Sequence, residues 1–88
     1  MNTFRLIIAS PNGNVFDGEA QMLSLRGIEG SLAVMAGHVP FITVIKPCEY
    51  RIELPDGEDR TGHTDGGILT VSKENVTFLS GRTEIQAI

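Results

Sequence analysis

Alternation with a period of two runs through this chain and is clearest from Cys48 to Leu54. There Cys48, Tyr50, Ile52 and Leu54 alternate with Glu49, Arg51 and Glu53. Successive side chains of a strand point to opposite faces, so this stretch predicts a strand with one wet and one buried face. Pro55, Asp56 and Gly57 close it with turn chemistry, since proline presets φ and glycine accepts a positive value. Phe4 to Ala9 alternates less strictly and predicts a more buried strand. Asn12-Gly13 is the strongest short hairpin signal in the chain. Phe41 to Ile45, Ile68 to Val71 and Val76 to Leu79 are apolar or β-branched runs bounded by Pro, Gly and the Lys73-Glu74-Asn75 turn. Glu19 to Arg26 is rich in helix formers, and Asp17 stands where a cap would. Helices shorter than about twelve residues need tertiary support. Leu23 and Leu25 suit a strand face, so this segment is expected to be a strand. Many short strands with frequent turn signals predict an all-β sandwich or barrel.

Gly27 to Pro40 is the most distinctive stretch. It places Gly27, Gly30, Gly37, His38 and Pro40 around the apolar run from Leu32 to Ala36. The three glycines are expected to be bends, because glycine takes a positive φ without steric cost. Pro40 fixes its own φ and pushes Val39 towards an extended conformation. A stiff, shaped loop system with a strand inside it follows, and such loops commonly face a partner.

At 88 residues the chain makes one domain, 1–88, with one modest core. A hydrophobic content of 41% fits a folded globule. Seven Lys and Arg against eleven Asp and Glu give a net charge of −4. A nucleic-acid binder carries a basic patch, and none is visible. The same balance argues against direct binding to anionic lipid. Cys48 is the single cysteine, which suits a reducing compartment and excludes an internal disulfide. The early apolar run Leu6 to Ala9 is too short for a signal-peptide core or a membrane span. Any membrane association is therefore expected through a partner.

The chemistry-bearing residues are few. Catalysis by His38 would need a nucleophile and an orienting carboxylate. Ser10, Ser31 and Asp17 exist, but no serine sits in a nucleophile-elbow pattern. His38 is read as shaping its loop or contacting a partner. His63 and Asp65 share a face of an extended run with Thr61 and Asp59, a weak donor set for a metal and a better solvated face. Gly66-Gly67 lacks the Lys-Ser/Thr and helix of a phosphate loop, so it reads as a close approach of two backbones at the start of a strand. Asp56 to Asp59 is an acidic hairpin tip. No catalytic residue, metal or cofactor is expected.

Five ordered matches resemble the N-terminal domain of the epsilon subunit of F-type ATP synthases, called delta in mitochondria. They are Ser10-Pro11 with Val15 to Gly18, Gly27 to Pro40, Ile45-Lys46-Pro47, Gly66 to Val71, and Asn75 to Leu79. They span nearly the whole chain. The resemblance implies a flattened β-sandwich of two sheets with about ten strands. It implies a non-catalytic rotor subunit that packs on the gamma subunit and the membrane c-ring, peripheral to the cytoplasmic face of a bacterial plasma membrane. By position, Glu29, Gly30, Ser31 and Leu32 would face the ring, and Ser10, His38, Pro40 and Thr43 would face gamma. The chain departs from the family at Cys48, where glycine is usual, at Ser31, where many relatives are acidic, and at Met35-Ala36, where Tyr-Pro is common. Most relatives continue into two helices that inhibit ATP hydrolysis and in some cases bind ATP. This chain ends where the sandwich ends, so either a naturally short or a truncated form without that hairpin, and without nucleotide binding, is expected. Two other classes compete. A generic β-sandwich interaction module would show no affinity for gamma, and a small enzyme built on His38 or His63 would show a pH optimum or a metal requirement.

Overall fold

The computed structural model describes residues 3–86, and among them ten β-strands and no helix. In chain order these are β1 (Phe4–Ser10), β2 (Gly13–Ala20), β3 (Met22–Gly27), β4 (Gly30–Met35) and β5 (Phe41–Ile45). They are followed by β6 (Cys48–Glu53), β7 (Asp59–Thr64), β8 (Gly67–Val71), β9 (Asn75–Ser80) and β10 (Thr83–Gln86). The expected all-β sandwich is present. Its two layers are β4-β3-β6-β7-β10 and β5-β8-β9-β1-β2, and they belong to one continuous ladder that turns a corner from β3 to β5. Gly27 pairs with Ile45 at that corner, and at the far side β10 comes against β2. Most pairings are antiparallel, and β1 runs parallel to β9 with Leu6 opposite Val76.

The period-two reading locates the strands well. The alternation seen from Cys48 onwards is β6, with Tyr50 and Ile52 buried and Glu49 and Arg51 exposed. Phe41 to Ile45 is β5 in full. The Glu19 to Arg26 segment is extended, as expected, but it breaks at Gln21 between β2 and β3. Gln21 turns both its backbone N–H and its side-chain amide towards β6, donating to Glu53 O at 2.7 Å and Leu54 O at 2.8 Å. The hairpin near Asn12 turns on Pro11 and Asn12, with Gly13 already opposite Ser10 in β2. β10 was not anticipated. Thr83 and Ile85 alternate with Glu84, and β10 pairs along β7.

The core lies between the layers. Leu6, Ile8, Leu23, Val34, Ile45, Ile52, Leu69, Val76 and Phe78 are fully buried and come from both. Tyr50 meets Phe78 edge-on with ring centroids 6.1 Å apart, an arrangement aromatic quadrupoles favour. Its hydroxyl shares a 2.8 Å hydrogen bond with Thr83 Oγ1, which ties β10 to the core. Gly62 on β7 has no side chain because the Tyr50 ring occupies that space.

Glycine serves two purposes in the segment from Gly27 to Pro40. Gly30 and Gly37 do take positive φ, 128° and 85°. Gly27 does not, which corrects the expectation of a third bend. It is a buried strand end where a Cβ would come within 2.7 Å of Leu32 Cδ2. Gly66 and Gly67 also mark a close approach of backbones. A Cβ on Gly66 would sit 2.8 Å from the Ile45 carbonyl, and one on Gly67 would overlap the Leu79 carbonyl. Two buried hydroxyls complete this joint. Thr64 Oγ1 and Ser80 Oγ share a 2.8 Å hydrogen bond, and Ser80 Oγ donates to the Gly66 carbonyl at 2.8 Å. Thr64 Oγ1 accepts from the Gly66 N–H at 3.0 Å. Buried polar atoms left unpaired cost about 1–3 kcal/mol each; no buried side-chain nitrogen or oxygen lacks a partner among the described residues.

Two outcomes follow for stability. Gly67→Ala is expected to lose about 1–3 kcal/mol in urea unfolding, since the added methyl forces backbone apart. Gly81→Ala, which opens onto empty space, is expected to stay within about 0.5 kcal/mol. A Gly67→Ala variant as stable as its Gly81 counterpart would remove the argument for a tight joint. Burial pushes the Tyr50 hydroxyl above the ordinary tyrosine value of 10.0, against the opposing hydrogen bond from Thr83 and with a smaller upward contribution from Cys48. The folded state thus prefers neutral Tyr50, and the unfolded chain ionises first. Stability is expected to fall as pH rises above that ordinary value, and Tyr50→Phe to flatten the alkaline fall in unfolding midpoint.

Candidate partner-binding surface

The outer face of the β5-β8-β9-β1-β2 layer is apolar where an isolated domain of this size would be polar. Along β5 the outward side chains are Ile42 and Val44, 72% and 51% exposed. On β8 and β9 they are Ile68 and Leu79, 49% and 53% exposed. Register turns these into a row. Val44 lies opposite Ile68, Ile68 opposite Leu79, and Leu79 opposite Ala9 across four strands. Ile42 begins the next row, which continues through Thr70, Thr77 and half-buried Ile7. Ile28 adjoins the first row, with its N–H on the Val44 carbonyl at 3.0 Å, and is 57% exposed. Charge is pushed to one border, where Arg5 of β1 pairs with Asp17 of β2 at 2.9 Å. Single exposed apolar residues are normal, but a contiguous band marks an interaction surface.

The residues chosen from sequence fall around this band and not on one spot. Ser10 ends β1 beside Leu79, and its hydroxyl donates to the Gly13 carbonyl at 3.2 Å. His38 and Pro40 lie at the opposite end of the layer, just before β5. Thr43 is half-buried and points to the inner side, where it shares a groove of about 360 Å³ with Gly27, Phe41, Ile42 and residues 29–33. The four residues Glu29, Gly30, Ser31 and Leu32 do come together at that groove, on the β3–β4 hairpin tip.

His38 is built into its surroundings. Its Nε2 lies 3.0 Å from the Ser72 carbonyl, and its Nδ1 contacts the Met35 carbonyl. A ring with one N–H donates to one of these carbonyls, and the doubly protonated ring to both. The ring also stands edge-on to Phe4, centroids 5.8 Å apart. It therefore clips the loop before β5 to the β8–β9 turn. His63, by contrast, is exposed on β7, with Nε2 3.7 Å from Asp65 Oδ1. The described residues hold no group of three metal-ligating side chains. Cys48 is half-buried.

The apolar band itself was missed in the sequence. The available signal was the loss of alternation in Phe41-Ile42-Thr43-Val44-Ile45, where both parities are apolar. A strand reading with one wet face does not allow that.

The delta/epsilon-chain β-sandwich domain of ATP synthase matches residues 3–86. The chain belongs to this family. ATP synthase epsilon chains of Psychrobacter cryohalolentis and of a second Psychrobacter strain are each 38% identical over 80 residues, which is 91% of this chain. The chain spans 58% of the length of those relatives. A solved chain of the Euglena gracilis mitochondrial ATP synthase superposes with a TM-score of 0.89 at 18% identity, over 94% of this chain and 53% of that one. A chain of the Tetrahymena thermophila mitochondrial ATP synthase central stalk and c-ring superposes at 0.75 and 13% identity, over 93% and 66%. At such identities the two structures establish the fold.

His38→Ala is expected to cost about 1 kcal/mol, the net worth of a hydrogen bond with its edge-on contact. Amide exchange is expected to accelerate at Phe41 and in residues 72–75 while the core strands keep their protection. Uniform acceleration across all strands would mean that the ring supports the whole core and does not clip one loop.

Proposed function

We propose that this chain is a non-catalytic rotor part of a bacterial-type F-type ATP synthase, peripheral to the cytoplasmic face of the membrane. Its apolar outer face holds the gamma subunit, and its β3–β4 tip turns towards the polar loops of the c-ring. The observation that carries the reading is the row Val44, Ile68, Leu79 and Ala9, with Ile42 and Ile28 beside it. A lasting protein contact buries roughly 800 Å² on each partner, with an apolar centre and a polar rim. The row supplies the centre, and Arg5 and Asp17 at the border supply rim chemistry.

The role is mechanical. A part that transmits torque must be stiff, and the glycine-lined corner and the single continuous ladder make the two layers one body. Family membership supports this reading, as do the synthase complexes from which the superposable chains come. Ser10 and Pro40 would lie on opposite borders of the gamma contact, with His38 holding the loop that carries Pro40. Glu29, Gly30, Ser31 and Leu32 would meet the ring as a compact tip. The reading gives the chain no cofactor and no nucleotide site.

The test is co-elution with the cognate gamma subunit. Wild type is expected to form a stoichiometric complex. Ile68→Glu, at the middle of the row, is expected to weaken it more than tenfold while the isolated chain stays folded, as a buried interface centre requires. Arg60→Glu on the other layer is expected to bind as wild type does. If Ile68→Glu binds gamma undiminished, the gamma contact lies elsewhere. If folded wild type binds no gamma at all, the rotor reading itself fails.

A further inference from the structure

The other layer carries a cleft that the rotor reading does not use. β3 pairs with β6 at Met22, Leu23 and Ser24, opposite Glu53, Ile52 and Arg51, and the pairing stops there. Beyond Ser24, β3 swings towards β5, where Lys46 donates its N–H to the Arg26 carbonyl at 3.1 Å and Gly27 pairs with Ile45. β6 continues along β7 instead. The two strands part and leave an open cleft of about 650 Å³, within the range of small-molecule sites. Leu32 and Ala33 give it an apolar wall, over buried Leu25 and Tyr50. Ser24, Ser31 and Thr61 bring hydroxyls to it.

Its charge is opposite to that of the chain. An acidic protein with a net charge of −4 places two arginines, Arg26 and Arg51, on this one cleft against one carboxylate, Glu49. Neither guanidinium is well neutralised. Arg26 makes no ion pair or side-chain hydrogen bond among the described residues, and Arg51 reaches Asp59 only at 3.9 Å between half-exposed groups. Glu49 faces His63 across the β6–β7 ladder. Arg51 lies opposite Ser24, and Arg26 is two residues further along the same face of β3. Diagonal positions of this kind are about 7–8 Å apart in an unbroken ladder, and here the strands are diverging. Two planar guanidinium forks on the two walls of one cleft match two planar carboxylates joined by a short chain better than one point charge. The apolar wall suits the hydrocarbon between them.

We propose that the split between β3 and β6 is a binding site for a small dicarboxylate, one carboxylate on Arg26 and the other on Arg51, with Ser24, Ser31 and Thr61 as supporting donors. The site stands on geometry independent of the gamma contact. It is shallow, so a millimolar dissociation constant is expected.

The experiment is an amide-resolved NMR titration of the full chain with succinate at pH 7 and fixed ionic strength, with acetate as the monoanion. Succinate is expected to give saturable shifts confined to residues 24–26, 31–33 and 49–51, and acetate to bind at least tenfold more weakly. Arg26→Gln and Arg51→Gln are each expected to weaken succinate at least tenfold with otherwise unchanged spectra. Arg60→Gln, outside the cleft, is expected to leave it unaltered. Non-saturating shifts, equal response to acetate, or saturable binding that survives both substitutions would each overturn the proposal. None of these results bears on gamma binding, which co-elution tests separately.

Discussion

Everything distinctive in this domain follows from one seam. Gly27, Ile45, Gly67 and Ser80 stand in register across β3, β5, β8 and β9. Two of the four have no side chain, and Ile45 carries the single large one, turned into the core. At this row the ladder changes layers. A Cβ at Gly67 would overlap the Leu79 carbonyl and one at Gly66 would sit 2.8 Å from the Ile45 carbonyl, so the backbones close up here because glycine leaves those positions bare, while a Cβ at Gly27 would press on the Leu32 side chain. The Thr64 and Ser80 hydroxyls then satisfy the backbone groups of the turns that the corner brings together. Dry, fully paired hydroxyl clusters of this kind fix one geometry, because any shift strands a buried polar group.

Both surfaces argued to matter are consequences of that seam. The next register position beyond it is Val44, Ile68 and Leu79, and β1 adds Ala9 by pairing in parallel with β9. The outward apolar row thus lies one register position from the seam and shares β5, β8 and β9 with it. On the other layer, β3 can reach β5 only by leaving β6, and its departure opens the arginine-lined cleft. One rigid corner yields an apolar face on one side and a cationic gap on the other.

The two histidines show how a shared residue type divides by setting. His38 is held between two carbonyls and the Phe4 ring, so its ring shapes the loop ahead of β5. His63 lies on an open strand face beside Glu49 and Glu84 in register. The sequence already reads His38 as shaping its loop or meeting a partner and His63 as part of a solvated face. The fold adds what His38 holds, because the carbonyl of Ser72 lies 34 residues away in the chain.

The sequence by itself determined the strands, because side-chain direction in a strand depends on parity alone and burial leaves its mark on every second residue. It determined the turns at Gly30, Gly37 and Gly57, where positive φ leaves glycine as the natural choice. It also determined the family, through five ordered motifs. It did not reveal β10, a short edge strand defined by β7, or the role of Gly27, which is about a neighbour and not its own φ. The apolar row, the cleft and the scattered placement of Ser10, His38, Pro40 and Thr43 were decided by tertiary structure. The reason is register: which residue of one strand stands beside which residue of another is set by the corner and the turns together, and no local pattern in a single strand encodes it.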